Sequence, residues 1–135
     1  MDDSRKIVYD TKEESVMINK KLKKYLQEEI MPIYKKNDWS HQHWHIYEVI
    51  ERSFKLSKNL DVNPNMVYTI AIFHDIACFQ GRENHEKNSA KMLLEDNILP
   101  NFFTEEERNK MAEAIIDHRA SLEYPPRSIY GKIIS

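Results

Sequence analysis

Glycine is nearly missing from this chain: Gly81 and Gly131 are its two glycines in 135 residues. That scarcity argues against a Gly-rich phosphate loop, a dinucleotide-binding fingerprint and a turn-rich β architecture. Cysteine is rarer still. Cys78 stands alone, so no intrachain disulfide can form, and such usage suits a reducing interior. Long apolar runs are also lacking. The opening "MDDSRKIVYD" carries no signal-like apolar core, and nothing approaches the ~20 apolar residues of a membrane span. Charge of one sign is absent too: 20 Lys and Arg stand against 22 Asp and Glu, a formal charge of −2. That balance gives no pull toward nucleic acid or an anionic membrane. The length suits one domain with one core. The expectation is a soluble cytoplasmic protein with no membrane or nucleic-acid partner, and a homodimer is left open.

What is present is helical periodicity. Residues 1–12 read as a flexible N-terminal arm. Val16, Ile18, Leu22, Tyr25, Leu26, Ile30 and Ile33 fall mostly at three- and four-residue steps, which predicts an amphipathic helix from Glu13 to about Lys36, kinked or ended at Pro32. Ile46, Val49, Ile50, Phe54 and Leu56 mark a second helix between His41 and Asn59. In "DVNP", Asn63 can cap and Pro64 suits a first turn. A third helix, apolar nearly all round and therefore central, runs from Pro64 to about Phe79, where Gly81 breaks it. A fourth spans His85 to Asn97 with Ala90, Leu93, Leu94 and Ile98 facing in. "TEEE" is a capping box, Glu107 reaching back to the Thr104 amide, and opens a fifth helix ending near Arg119. "YPPR" interrupts the chain and "SIYGKIIS" begins another apolar element. Met17, Met31, Met66, Met92 and Met111 read as core fillers. No alternation of period two occurs, so the fold class is all-α: a single-domain helical bundle over residues 13–135.

The histidines carry the chemistry. Of six, three sit in "HQHWH" (His41, His43 and His45) and the others are His74, His85 and His118. Imidazole nitrogen ligates first-row metals, and carboxylate oxygen adds hardness. A short link makes the second and third helices antiparallel neighbours, which brings His45 beside the His74–Asp75 pair and permits a His/His/Asp metal cluster. His85 opens the fourth helix and His118 closes the fifth, both at the same end of the bundle. Any one of these histidines also reads as a surface or hydrogen-bonded residue; the joint pattern carries the weight.

That ordered set resembles the HD-domain superfamily of metal-dependent phosphohydrolases. "DWSHQHWHIYEVI" is similar to the family's first-ligand helix, a likeness that assigns His45 rather than His41 or His43. "AIFHDIACFQGRENHEKNSAKML" resembles the motif helix and its successor, and "AIIDHRASLEYPPRSIYGKIIS" resembles a segment of a bacterial HD subgroup. The likeness spans roughly residues 30–135. It implies a divalent cofactor (Mn, Fe, Mg, Zn, Co or Ni) that activates water against a phosphate ester, the substrate being a small molecule of nucleotide type. His45, His74 and Asp75 would hold one ion. His85 and His118 would hold a second, or else bind substrate phosphate or the water.

Phosphate needs cations, and Arg82, Arg119, Arg127 and Lys132 are the candidates, although each alone also reads as a solvated side chain. Glu83 and Asp117 neighbour the presumed ligands and are candidates for proton transfer, alongside Asp75 as ligand. Their alternatives are a helix cap for Glu83 and a pairing with Arg119 or Lys110 for Asp117. HD enzymes close the mononuclear site with a later Asp, yet no Asp follows Asp117. The expectation is a domain incomplete at its C-terminus, cut inside a helix, with Asp117 as substitute or a degenerate site as alternatives. A degenerate, non-catalytic HD module that binds metal or ligand for regulation or assembly is the competing function.

Overall fold

The structure is a computed structural model that describes residues 17–36, 42–77, 84–118 and 124–135, with backbone alone at residues 35, 36 and 42–44. Helix α1 is Lys20–Tyr25, capped by the Asn19 side chain, which accepts from the Lys21 and Leu22 amides. It continues as a wide π turn, Leu26–Ile30, and a tight 3-10 run, Met31–Lys36. Pro32 is the cause: it lacks an N–H and its ring crowds the carbonyl four residues back, so the helix widens just ahead of it and the Met31 amide bonds the Leu26 carbonyl. The expected start at Glu13 is not observed: residues 13–16 lie outside the described residues, and residues 17–19 are not helical. Met17 therefore precedes the helix that was to turn it inward, and it is 79 % exposed rather than a core filler.

Four longer helices and a short last one follow: α2 Gln42–Ser57, α3 Pro64–Phe73, α4 His85–Glu95, α5 Glu105–Asp117 and α6 Ile129–Ile134. No strand occurs among the described residues. The fold class is all-α, as the periodicity implies. α3 begins where Asn63 accepts from the Asn65 amide with Pro64 in the first turn, and every residue from Met66 to Phe73 is buried. It is the central helix, packed against α2, α4, α5, α6 and the π turn. Burial on all sides explains its lack of a polar face. The capping box stands as the sequence predicts, with Thr104 Oγ accepting from the Glu107 amide at 3.1 Å and Glu107 Oε1 accepting from the Thr104 amide at 2.8 Å.

Helix ends depart from expectation, and side chains explain one of them. α3 stops at Phe73, before the predicted Phe79 (itself outside the described residues). The carbonyls that a further turn would bond are taken: Tyr34 donates its hydroxyl to the Ile72 carbonyl at 2.6 Å, and His74 Nδ1 donates to the Ala71 carbonyl at 2.6 Å. In α4, Ala90 and Leu93 are buried, but Leu94 and Ile98 are exposed. Leu94 is rotated about 100° from Leu93, and Ile98 lies past the helix end at Glu95, so neither shares the inward stripe. Leu56 in α2 is likewise exposed. No helix among the described residues is long and apolar enough to cross a membrane.

Candidate metal centre

Two helices end on histidine at the same place. His74 caps the C-terminus of α3 and His118 caps that of α5. The last carbonyls of a helix have no internal donor, and each ring supplies one. His74 Nδ1 donates to the Ala71 carbonyl at 2.6 Å, and His118 Nδ1 donates to the Ile115 carbonyl at 2.5 Å. Both bonds reach three residues back, so both rings are held in one tautomer. Nδ1 carries a proton, and in the neutral ring Nε2 presents a lone pair. The helix C-termini add negative partial charge, which favours a cation beside them.

Asp75 sits between these rings. Its Oδ2 lies 3.3 Å from His74 Nε2, and its Oδ1 lies 3.6 Å from His118 Nε2 and 3.2 Å from His85 Nε2. His85 is the first residue of α4, and α4 is tied to the turn after Asp75 by a hydrogen bond from the Ala77 amide to Ser89 Oγ at 3.0 Å. His45, near the start of α2, approaches from the other side, its ring centroid 6.2 Å from that of His74. The donor atoms form two sets, His45–His74–Asp75 and Asp75–His85–His118, each with all its atoms within 4.8 Å of one another. Asp75 belongs to both.

The environment is graded. His74 is buried, the side chains of Asp75, His85 and His118 are mostly covered, and His45 is about half exposed (47 %). The site therefore opens on the α2 side. Burial pushes the Asp75 carboxyl up, but its contacts with His118 and His74 outweigh that and hold it well below the usual carboxylate range. Burial pushes His118 down, and the contacts with Asp75 and the Ile115 carbonyl outweigh that and raise it. With Nδ1 committed to backbone carbonyls, Nε2 of the neutral rings and carboxylate oxygen would face each other as acceptors. Such a cluster is stable only with protons or cations between its members. Cis ligands on a first-row ion, at about 2.1 Å each, stand roughly 3 Å apart, close to the spacings here. The residues present fit a divalent cation.

Asp117, a candidate for proton transfer, is engaged in a clasp. Its carboxylate is buried and accepts from Arg127 at three points: the backbone amide at 3.0 Å, Nε at 2.9 Å and a terminal nitrogen at 2.8 Å. Tyr124 adds its hydroxyl at 3.3 Å. Burial raises the Asp117 pKa, and these bonds outweigh it and lower it. Among the described residues the partner is thus Arg127 rather than Lys110, and the pair ties α6 to the end of α5. Arg127 has a half-exposed guanidinium committed to Asp117 and, at 3.8 Å, to Glu113. Lys132 is exposed on α6. Arg82, Glu83 and Arg119, along with His41, lie outside the described residues, as does the side chain of His43.

Sequence reasoning passed over Glu86. It is 4 % exposed, and its Oε2 lies 3.5 Å from His85 Nδ1. A signal existed: Glu86 occupies the same stripe of α4 as Ala90 and Leu93, so a carboxylate stands where the periodicity asks for an apolar residue.

A protein-family model for the HD domain matches residues 44–135, a span that begins just before His45 and includes all five residues of the cluster. No match was found among the curated proteins or among the solved structures. HD domains bind divalent metals, and the family is generally one of metal-dependent hydrolases, in keeping with the cluster at the ends of α3 and α5. The match covers most of the chain, and the chain belongs to the HD-domain family.

Proposed function

We propose that this HD domain is a metal-dependent phosphohydrolase acting on a small phosphate ester of nucleotide type. The observation that carries the reading is the placement of Asp75, one oxygen toward His74 and the other toward His85 and His118. His45, His74 and Asp75 would hold one divalent ion, and Asp75, His85 and His118 a second. A donor set this rich in imidazole suits Fe, Ni or Zn, and the shared Asp75 carboxylate also admits Mn. Bound there, such ions supply Lewis-acid stabilisation of phosphoryl charge and lower the pKa of water.

The chain's own residues do the rest. The carbonyls of Ala71 and Ile115 fix the rings of His74 and His118, so the ligands need no reordering when the ion binds. The half-exposed His45 leaves that side of the cluster open to a phosphate ester. Arg82, Arg119 and Lys132 are proposed to meet substrate phosphate and Glu83 to move a proton, while Arg127, first a candidate for phosphate, is engaged by Asp117. Metal analysis of the purified protein and a phosphatase screen with Mn²⁺ test this. The His74→Ala/Asp75→Ala double variant should lose both bound metal and activity, and activity surviving that change rules out the mechanism.

A second reading is a non-catalytic HD module that binds metal or ligand for regulation or assembly. One observation favours it: Asp117 has both carboxylate oxygens on Arg127, which engages them away from a metal or a proton transfer. Metal binding without hydrolysis in the screen would select this reading.

A further inference from the structure

His74 and His118 are oriented by backbone carbonyls, which substitution leaves in place. His85 differs. Its Nε2 faces Asp75 Oδ1 at 3.2 Å while its Nδ1 faces Glu86 Oε2 at 3.5 Å, so a mostly buried ring stands between two carboxylates. Asp75 and Glu86 both compete for the proton of the neutral ring; a cation on the Asp75 side would take the Nε2 lone pair and leave Glu86 as the acceptor for Nδ1–H. With an ion on that side, His85 would hold the same tautomer that the carbonyls give its two neighbours. Burying a carboxylate is costly, and a leucine would serve the inward face of α4 beside Ala90 and Leu93 without that cost. Glu48, 3.8 Å from His45 Nδ1, is by contrast largely in water and orders its ring far less.

We infer that Glu86 is a positioning residue for the second metal site: by holding His85 Nδ1 it directs Nε2 to the ion shared with Asp75 and His118. The inference rests on the two-ion reading of the site and adds the residue on which the second ion specifically depends. Carboxylates placed behind a ligating histidine raise its basicity and fix its orientation, and removing them costs roughly 10–100-fold in metal affinity.

The test uses the full chain and two variants, Glu86→Leu and Glu86→Gln. Leucine keeps the volume without an acceptor, and glutamine keeps an acceptor oxygen without the charge. First, side-chain ¹⁵N NMR of the metal-free protein, with the ring neutral, reads the His85 tautomer directly. Glu86→Leu should show less of the Nδ1–H form than the wild type, the proton moving to Nε2 beside Asp75. Second, Mn²⁺ titration should find two ions per wild-type chain. In Glu86→Leu the second ion should bind roughly 10–100-fold more weakly with the first unchanged, and Glu86→Gln should fall between. An unchanged tautomer together with an unchanged second-ion affinity in Glu86→Leu overturns the inference. A wild type that binds fewer than two ions defeats the two-ion reading instead, and the tautomer measurement alone then decides the role of Glu86. Should Glu86→Leu fail to fold, the same two readouts on Glu86→Gln decide it.

Discussion

His74 and His118 meet edge to face, with ring centroids 5.2 Å apart and planes at 85°, although they close two different helices 44 positions apart in the chain. Each donates Nδ1 to the carbonyl three residues behind it, so both aim Nε2 at Asp75. A device built twice from the same local geometry makes the end of the bundle a cation site before any ion arrives.

Asp75 is the hinge of this arrangement. Replacing it with Asn removes the charge shared by both donor sets while keeping the side chain's shape. Asp75→Asn should lose both ions, by at least about 100-fold in affinity, while folding at the wild-type helical content. Equilibrium dialysis with Mn²⁺ and circular dichroism check this.

The Asp117–Arg127 bond holds α6 down on α5. Asp117→Asn removes charge-assisted hydrogen bonds from a buried position and should destabilise the fold by about 2 kcal/mol at neutral pH. Urea unfolding measures it, and a midpoint unchanged from wild type would count against the clasp.

Gly131 lies where α6 crosses that clasp. A Cβ there would stand 2.9 Å from Pro126 Cβ and 3.6 Å from Asp117 Cβ. Gly131→Ala should therefore push α6 away and cost roughly 1–3 kcal/mol, outweighing the usual gain from replacing a helical glycine. Thermal unfolding distinguishes the two signs.

At alkaline pH the sensitive link is Tyr25, whose hydroxyl donates to Asp96 and joins α1 to the end of α4. Burial first, and then the bond to Asp96, raise the Tyr25 pKa above the ordinary tyrosine value. The folded chain thus keeps a proton that the unfolded chain gives up near pH ~10. The link's contribution is full below about pH 10 and is lost as pH rises toward the raised folded value. Melting temperatures of wild type and Tyr25→Phe, compared between pH 8 and 11, should converge as pH rises.

Much of the fold was legible because local rules governed it. Thr104 with Glu107, and Asn63 with Pro64, announce helix starts through bonds made within three residues, and those bonds are present. The unbroken apolar character of "MVYTIAIF" marked α3 as central. What could not be read depends on distant partners. α3 ends where Tyr34, 38 positions away in sequence from Ile72, takes a carbonyl. Asp117 pairs with Arg127, ten positions on in the sequence, so the nearer Lys110 and Arg119 read as equally good partners. Glu86 was overlooked for another reason: a single acidic residue on an apolar stripe looks like an imperfection of the pattern until a histidine ring is seen against it.

The most direct measurement is an anomalous-scattering map from crystals of the full chain grown with Mn²⁺. The account predicts two peaks, one between Asp75 Oδ2 and His74 on the His45 side, and one between Asp75 Oδ1 and the Nε2 atoms of His85 and His118. Well-ordered crystals in saturating Mn²⁺ with no peak against Asp75, or with ions bound only elsewhere on the surface, would contradict it.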